Sequence, residues 1–404
     1  MSNPSNPLRE FPSFRNFFLC RMATTMANQM MMVVVAWQMY DLTHSAYDLG
    51  MVGLAQFLPS LALTLVVGQV ADRYDRRRVL AWCLAGQLTV AAILVAGTLG
   101  GWISREAILL CSLGLGAAKA FQMPTQQALG PLLVPTAVLP RALAVSSAGS
   151  QFAIITGPAL GGFIYVAGAQ VVYLVSAALF VLAAALVLSI KFDHSPVKRE
   201  AVSLQSLFAG ISFIWHRKEV LGAISLDLFA VLLGGATALL PIFARDILHV
   251  GPWGLGLLRS APAVGAFAMS IWLARHPIQR RAGKTMFASV ALYGIATLVF
   301  GLSTSFIVSL VALLVSGVFD MISVVIRQSL VQLDTPNEMR GRVSAVNAIF
   351  IGASNQLGEF ESGITAGWFG TVPSVLVGSI GTLLIVAAWI KLFPQLTQRE
   401  RLVD

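Results

Sequence analysis

Residues 68–78 have the sequence GQVADRYDRRR, a polar and strongly basic segment between two long apolar runs. The preceding run covers approximately 48–70, and the following run covers approximately 79–100. An α-helix needs about 20 mostly apolar residues to cross a bilayer, and both runs are long enough. The stretch therefore predicts a short, positively charged turn between two membrane-spanning helices.

The composition of the whole chain supports this interpretation. Of its 404 residues, 57% are hydrophobic and 11% are charged, whereas a soluble domain carries about 25% charged residues. An ordinary soluble enzyme is thereby excluded. Apolar runs bounded by Gly, Pro and charged residues predict twelve spans. The spans lie at approximately 14–39, 48–70, 79–100, 106–125, 141–166, 170–190, 219–243, 254–274, 285–303, 305–328, 342–367 and 371–392.

The basic residues predict how the chain is oriented in the membrane. With the N-terminus in the cytoplasm, most of the 27 Lys and Arg fall in cytoplasmic tails and loops, and only Arg105 and Arg245 fall in loops on the opposite side. This positive-inside bias predicts that both termini are cytoplasmic. It also accounts for the net charge of +9 without a nucleic-acid partner.

The second half of the sequence repeats the first. An offset of 201 residues aligns Pro135 with Pro336, Arg141 with Arg342, and Gly162 with Gly363 without a gap. The repeat predicts two six-span bundles, 1–190 and 219–404, joined by a cytoplasmic linker at 191–218. Because six spans return the chain to the same side, the bundles are parallel and related by a pseudo-two-fold axis along the membrane normal. Residues 203–215 of the linker fit either a short helix at the membrane surface or a flexible connection.

Two loops resemble known signatures. Residues 68–78 resemble the GxxxDRxGRR loop of the major facilitator superfamily, with Asp75 where the general pattern has Gly. Residues 334–343, DTPNEMRGRV, look like the TPxxxRGRV loop of the superfamily branch that contains macrolide-efflux and enterobactin-export proteins. The resemblance implies an all-α fold of twelve spans in two parallel six-helix repeats, which move against each other to expose a central cavity to either side. A fixed pore would instead require a continuous polar stripe through several spans.

The resemblance also implies a cytoplasmic gate. Gly68 would let a neighbouring helix approach, and Asp72 would meet the positive end of a helix across the seam. In the alternative, the basic residues only set the topology. The predicted gate residues are Gly68, Asp72, Arg73, Arg76, Arg340, Gly341 and Arg342.

The fifth span contains GPALGG, residues 157–162, which is similar to the GPxxGG core of a motif of the superfamily's antiporters and drug exporters. Proline frees a backbone carbonyl and glycines remove side chains. We therefore expect Gly157, Pro158, Gly161 and Gly162 to form a rigid hinge packed against a helix of the other half. Structural packing without a role in transport is the alternative.

Charged residues within spans are functional candidates because burying them in lipid is costly. The sequence repeat aligns Lys119 with Asp320. Arg21 falls within one residue of the position that aligns with Asp227. Pairing across the halves, released by protonation of an aspartate, would couple protons to transport. The alternative is that the cations extend to the headgroups and the aspartates bridge local helices.

Glu359 is a further proton-carrying candidate, whereas Arg327 is expected to anchor its helix at the inner surface.

Together with the resemblance, these features predict a secondary transporter that acts as a monomer in the lipid bilayer of a bacterial inner membrane. It is expected to export a small hydrophobic or amphipathic compound in exchange for protons. The compound could be a drug, a siderophore or a metabolite. Uptake by proton symport and flipping of lipids or lysolipids stay open as alternatives. No enzymatic activity, cofactor or metal is expected, because the five histidines lie in loops or at span ends and the three cysteines lie within apolar runs.

Overall fold

A computed structural model of the chain describes residues 10–191, 204–278 and 280–400, and these residues form helices and turns without a β-strand. Within these ranges, the side chains of residues 64–65, 68–69, 71–73, 204–207 and 337 are not described. The helices before the linker are α1 Pro12–Thr43, α2 Ala46–Arg73, α3 Arg76–Leu99, α4 Arg105–Leu129, α5 Leu139–Ile164 and α6 Ala169–Leu188. The remaining helices are α7 Leu204–His216, α8 Lys218–Leu233, α9 Gly251–Arg275, α10 Ala282–Leu302, α11 Phe306–Leu333, α12 Asn337–Phe369, α13 Thr371–Leu392 and α14 Pro394–Gln398.

Eleven segments of the described chain are long and apolar enough to cross a membrane. They correspond to the predicted spans except the one at 342–367, and the span that starts with α8 continues through short helical turns to Ile247. Helix α12 occupies the twelfth position and has 33 residues. It is less apolar than the other eleven because it carries Arg340, Arg342, Glu359 and Glu361.

The turns between helices repeat along the chain, as the sequence repeat predicts. His44 and His249 both adopt left-handed backbone conformations, with φ of 49° and 50°. Gly168 and Gly370 precede α6 and α13 with φ of 108° and 92°, a conformation that residues with a side chain rarely adopt. Equivalent turns in the two halves therefore use equivalent residues.

The described chain divides into two compact units. The first unit comprises Met1–Leu42 and Ala55–Val202, and the second comprises Thr43–Leu54 and Ser203–Asp404. Within the first unit, α3 packs against α4 and α6. The phenol of the fully buried Tyr173 donates a hydrogen bond of 2.6 Å to the Oε1 atom of Gln38, which connects α6 to α1.

In the second unit, α11 packs against α9 and α10. The contact with α9 is very close, because Gly317 lies against the carbonyl oxygen of Pro262 and Gly265 lies against that of Leu314. The first part of α2 also belongs to this unit, where Gly50 contacts Gly363 of α12. Apolar side chains of α8, α10 and α11 form a core that includes Leu226, Met286 and Ile326. The close helix contacts fix the positions of the polar side chains inside this unit.

Candidate functional site

The strongest polar cluster in the second unit is built around Arg327. The guanidinium Nη2 atom of Arg327 lies 3.1 Å from the Oδ2 atom of Asp227. Its Nη1 atom donates a hydrogen bond of 3.3 Å to the Oδ1 atom of Asn347. These three residues lie on α11, α8 and α12, and all three are buried. The Arg327 guanidinium therefore connects three helices of the unit through polar contacts that apolar surroundings strengthen.

Asp320 adds a second carboxyl group to this cluster. It lies two turns before Arg327 on α11 and borders the same narrow gap as Asp227. Tyr293 on α10 borders this gap as well, and its phenol donates a hydrogen bond of 3.3 Å to the carbonyl oxygen of Gly234. If both aspartates were ionised, two negative charges would face a single guanidinium. An uncompensated charge is costly in apolar surroundings, so the cluster favours retention of one proton.

Asp320 faces a cavity inside the second unit. The cavity has a volume of about 270 Å³ and is also lined by Tyr293, Thr297, Ser316, Asn355 and Glu359. A much narrower gap of about 10 Å³ is bounded by Asp227, Asp320 and Tyr293. Asp320 borders both spaces, whereas Asp227 borders only the narrow one. Asp227 is thus held by Arg327, whereas Asp320 also lines the larger cavity.

Glu359 lies on the cavity wall formed by α12. Its Oε1 atom is 3.8 Å from the Nη2 atom of Arg259 on α9. The Cβ atom that a side chain at Gly53 would carry lies 3.1 Å from the Glu359 Cβ atom, so α2 approaches α12 closely at this point. Glu359 is therefore held between elements of the second unit and is paired with a cation of that unit.

The predicted cationic residues of the first unit also have local partners. The ammonium of Lys119 on α4 donates a hydrogen bond of 3.1 Å to the Oε1 atom of Gln56 on α2. The guanidinium of Arg21 on α1 donates one of 3.0 Å to the hydroxyl of Ser146 on α5. Both side chains are half-buried. Each cation thus has a neutral partner on another helix of its own unit.

A carboxamide network lies close to Lys119. The fully buried Gln87 on α3 donates a hydrogen bond of 2.7 Å to the Oε1 atom of Gln122, one turn after Lys119 on α4. The same Nε2 atom lies within 3.3 Å of the Oδ1 atom of Asn28 on α1. The sequence repeat aligns Gln122 with Ser323 and Gln126 with Arg327. The two units therefore place polar side chains at matching positions of α4 and α11. Helix α4 carries Lys119, Gln122 and Gln126, whereas α11 carries Asp320, Ser323 and Arg327.

The predicted gate is described in part. The structure gives the backbone of Gly68, Asp72 and Arg73 but does not describe their surroundings or side chains. Arg340, Gly341 and Arg342 lie exposed at the start of α12, and Arg76 is buried at the start of α3. Whether these residues form a gate stays a prediction.

Asp75, which departs from the general signature, has a clear local role. Its Oδ1 atom accepts a hydrogen bond of 2.9 Å from the backbone N–H of Arg77, which makes Asp75 the N-cap of α3. Its Oδ2 atom also lies 2.8 Å from the Arg77 guanidinium. The φ of Asp75 is −59°, so the turn needs no glycine.

The GPALGG motif lies on α5 with its glycines and proline buried. A side chain at Gly157 would meet Gln29, and one at Gly161 would meet the backbone of Met30, both on α1. Within the first unit, the motif therefore lets α5 and α1 approach closely. Its expected contact with a helix of the other half stays a prediction.

Sequence reasoning missed the role of Arg327. Its expected position as a surface anchor is wrong, because Arg327 is only 2% exposed and is paired with Asp227. Arg259, Tyr293 and Asn347 were also missed. A signal for Arg327 was present, since a cation on one span and a carboxyl group on another favour a buried pair.

The helical fold and the spans are those of a transporter of the major facilitator superfamily. The sequence matches the profile of the family described as transmembrane secretion effector over residues 2–402. The chain belongs to this family.

Curated relatives include the enterobactin exporters EntS of Citrobacter koseri and Escherichia coli. Each is 26% identical to this chain over 357 residues, an alignment that covers 84% of this chain and 82% of the relative.

Solved structures with the same fold share little sequence with this chain. A variant of the nucleoside transporter NupG superposes with a TM-score of 0.76 at 11% identity, covering 94% of this chain and 100% of that one. A bacterial homologue of the human lysosomal transporter Spinster gives a TM-score of 0.75 at 14% identity, covering 98% and 99%. A bacterial homologue of the iron transporter ferroportin gives 0.73 at 17% identity, covering 98% and 100%. These likenesses show the fold.

Proposed function

We propose that the protein exports a small hydrophobic or amphipathic compound from the bacterial cytoplasm in exchange for protons, by alternating access between two six-helix bundles. The observation that carries the proposal is the cluster of Asp227, Asp320 and Arg327. It holds one carboxyl group more than it holds cations, inside a bundle that the surrounding helices enclose. Enterobactin is the first candidate compound, because relatives that export it match 84% of this chain.

Proton exchange is assigned to Asp320. When Asp320 carries a proton, the Asp227–Arg327 pair is balanced and the cluster is neutral. When the proton leaves toward the cavity, the cluster carries an excess negative charge that apolar surroundings penalise. The two protonation states therefore differ in electrostatic energy, and a conformational change that wets or dries the cavity would favour one of them.

The proposal assigns roles to the other predicted residues as well. Glu359 is a second carboxyl group on the same cavity and would exchange protons with Asp320 through water. Lys119 and Arg21 would contact polar groups of the transported compound from the first bundle. Arg340, Gly341 and Arg342, with Gly68, Asp72, Arg73 and Arg76, would close the cytoplasmic side between cycles.

Proton release in inside-out vesicles tests the proposal. The vesicle lumen is acidified, enterobactin is added outside, and the luminal pH is followed with a trapped dye. An exporter that exchanges protons moves enterobactin inward and releases protons from the lumen. A proton symporter would not release protons under these conditions, because it would have to carry both species in the same direction.

Matched variants distinguish coupling from folding. We expect Asp320→Asn to abolish proton release while retaining exchange of labelled enterobactin down its gradient, because the neutral amide resembles the protonated carboxyl group. Glu338→Gln, which removes an exposed carboxylate from the same unit, serves as the control and should retain proton release. Full proton release in Asp320→Asn would contradict the assignment. If the unmodified protein released no protons with enterobactin and none with a macrolide, proton-coupled export would be contradicted.

A further inference from the structure

Helix α7 presents two apolar faces. On one face, Ile214 is buried in a cluster with Val220, Val343 and Val346. Gly210 lies against the backbone of α12 on that face. The opposite face carries Phe208, Ile211 and Trp215, which are 64%, 41% and 70% exposed. Their spacing of three and four residues places them on one stripe of the helix. In the described part of the chain, no protein segment covers this stripe.

Basic side chains follow directly after this stripe. His216, Arg217 and Lys218 end α7 and begin α8, and all three are exposed. They border a cavity of about 440 Å³ at the same end of the second unit. Glu219 and Asp334 also border the cavity, but the guanidinium of Arg399 binds both, at 2.9 Å and 3.1 Å.

The ion pairs leave the cavity positively charged. Arg399 is occupied by two carboxylates, whereas Arg217 and Lys218 form no ion pair with any residue that the structure describes. The Arg217 guanidinium instead lies 5.8 Å from the ring centroid of Phe213. Two cations without an ionic partner therefore line a cavity whose lining begins at His216, the residue after the apolar stripe.

We propose that this end of the second unit binds one anionic phospholipid. The phosphodiester headgroup occupies the cavity beside Arg217 and Lys218, and an acyl chain lies along Phe208, Ile211 and Trp215. The charge and size of the cavity, together with the apolar stripe that ends one residue before it, favour a ligand that is anionic at one end and apolar at the other. Trp215 directly precedes His216, which lines the cavity, and Trp is enriched at membrane interfaces.

This lipid site is independent of the transported compound and of proton coupling. It lies at the end of the unit that contains the start of α8 and the ends of α7 and α11, and it uses none of the residues assigned to the cavity of Asp320. A lipid bound there would hold α7 against α8 and α12. The linker between the two halves would then be fixed at the membrane surface.

Native mass spectrometry of the full-length protein in detergent tests the site. The protein is titrated with phosphatidylglycerol and, separately, with phosphatidylcholine. We expect one phosphatidylglycerol to bind more tightly than the others. Each basic residue near an anionic lipid contributes roughly fivefold in affinity, so Arg217→Gln combined with Lys218→Gln should weaken this first binding step about 25-fold.

The control removes the same number of charges elsewhere. Arg275→Gln combined with Lys284→Gln takes two exposed cations from the ends of α9 and α10 and should leave the first binding step unchanged. Trp215→Ser should weaken that step as well, while glycerol phosphate, a headgroup without acyl chains, should not compete. The proposal would be overturned if the two charge variants lost equal affinity for phosphatidylglycerol, or if phosphatidylcholine bound with equal affinity. It would also be overturned if Trp215→Ser lost no affinity, or if glycerol phosphate competed efficiently.

Discussion

The side chain of Arg327 is enclosed by protein and is only 2% exposed. A guanidinium is tolerated there because Asp227 supplies a counter-charge at 3.1 Å and Asn347 accepts a further hydrogen bond. Such a pair contributes little net stability, but removing one partner leaves the other charge buried without compensation. Replacing only Arg327 or only Asp227 should therefore lower the free energy of unfolding much more than replacing both residues together.

We expect Arg327→Gln to destabilise the protein by about 3–5 kcal/mol, because it leaves Asp227 without a cation. Asp227→Asn combined with Arg327→Gln should recover most of this loss, since both charges are then removed together. The free energy of unfolding in mixed micelles is the measurement. If the double variant is as unstable as the sum of the two single variants, the residues do not act as a pair.

At the level of elements, the sequence predicted much of what the structure contains. The apolar spans follow from hydropathy, and the buried GPALGG motif on α5 follows from glycine and proline chemistry. The partners of individual side chains could not be predicted in this way. Hydropathy does not encode which face of α11 meets α8, so Arg327 was assigned to the surface although its partner Asp227 was already a candidate.

The contact between α9 and α11 depends on glycine. A methyl group at Gly317 would clash with the carbonyl oxygen of Pro262, whereas one at Gly352 on α12 would meet nothing within 4 Å. We expect Gly317→Ala to destabilise the protein by about 1–3 kcal/mol through overpacking.

Gly352→Ala is the matched control in the same unit. It should be neutral or stabilising by up to about 1 kcal/mol, because alanine favours the helix. Thermal unfolding of both variants in detergent is the measurement. An undiminished melting temperature for Gly317→Ala would show that the close helix contact is not required.

On the scale of the whole molecule, the sequence repeat is reflected in repeated turns and in matching polar faces on α4 and α11. The first bundle places Lys119 where the second places Asp320. This difference in charge sign suggests a division of roles, in which one bundle contacts the transported compound and the other exchanges protons. Transport then requires the two bundles to change their relative orientation.

Distances between spin labels on the two bundles measure this movement directly. With Cys20, Cys83 and Cys111 replaced, one pair of labels is placed at Arg78 and Lys284, and a second pair at Glu106 and Thr304, all exposed positions. The protein is compared with its Asp320→Asn variant in nanodiscs at fixed pH. Alternating access predicts that neutralising Asp320 lengthens the distances of one pair and shortens those of the other. Unchanged distances in both pairs, or a change of the same sign in both, would contradict it.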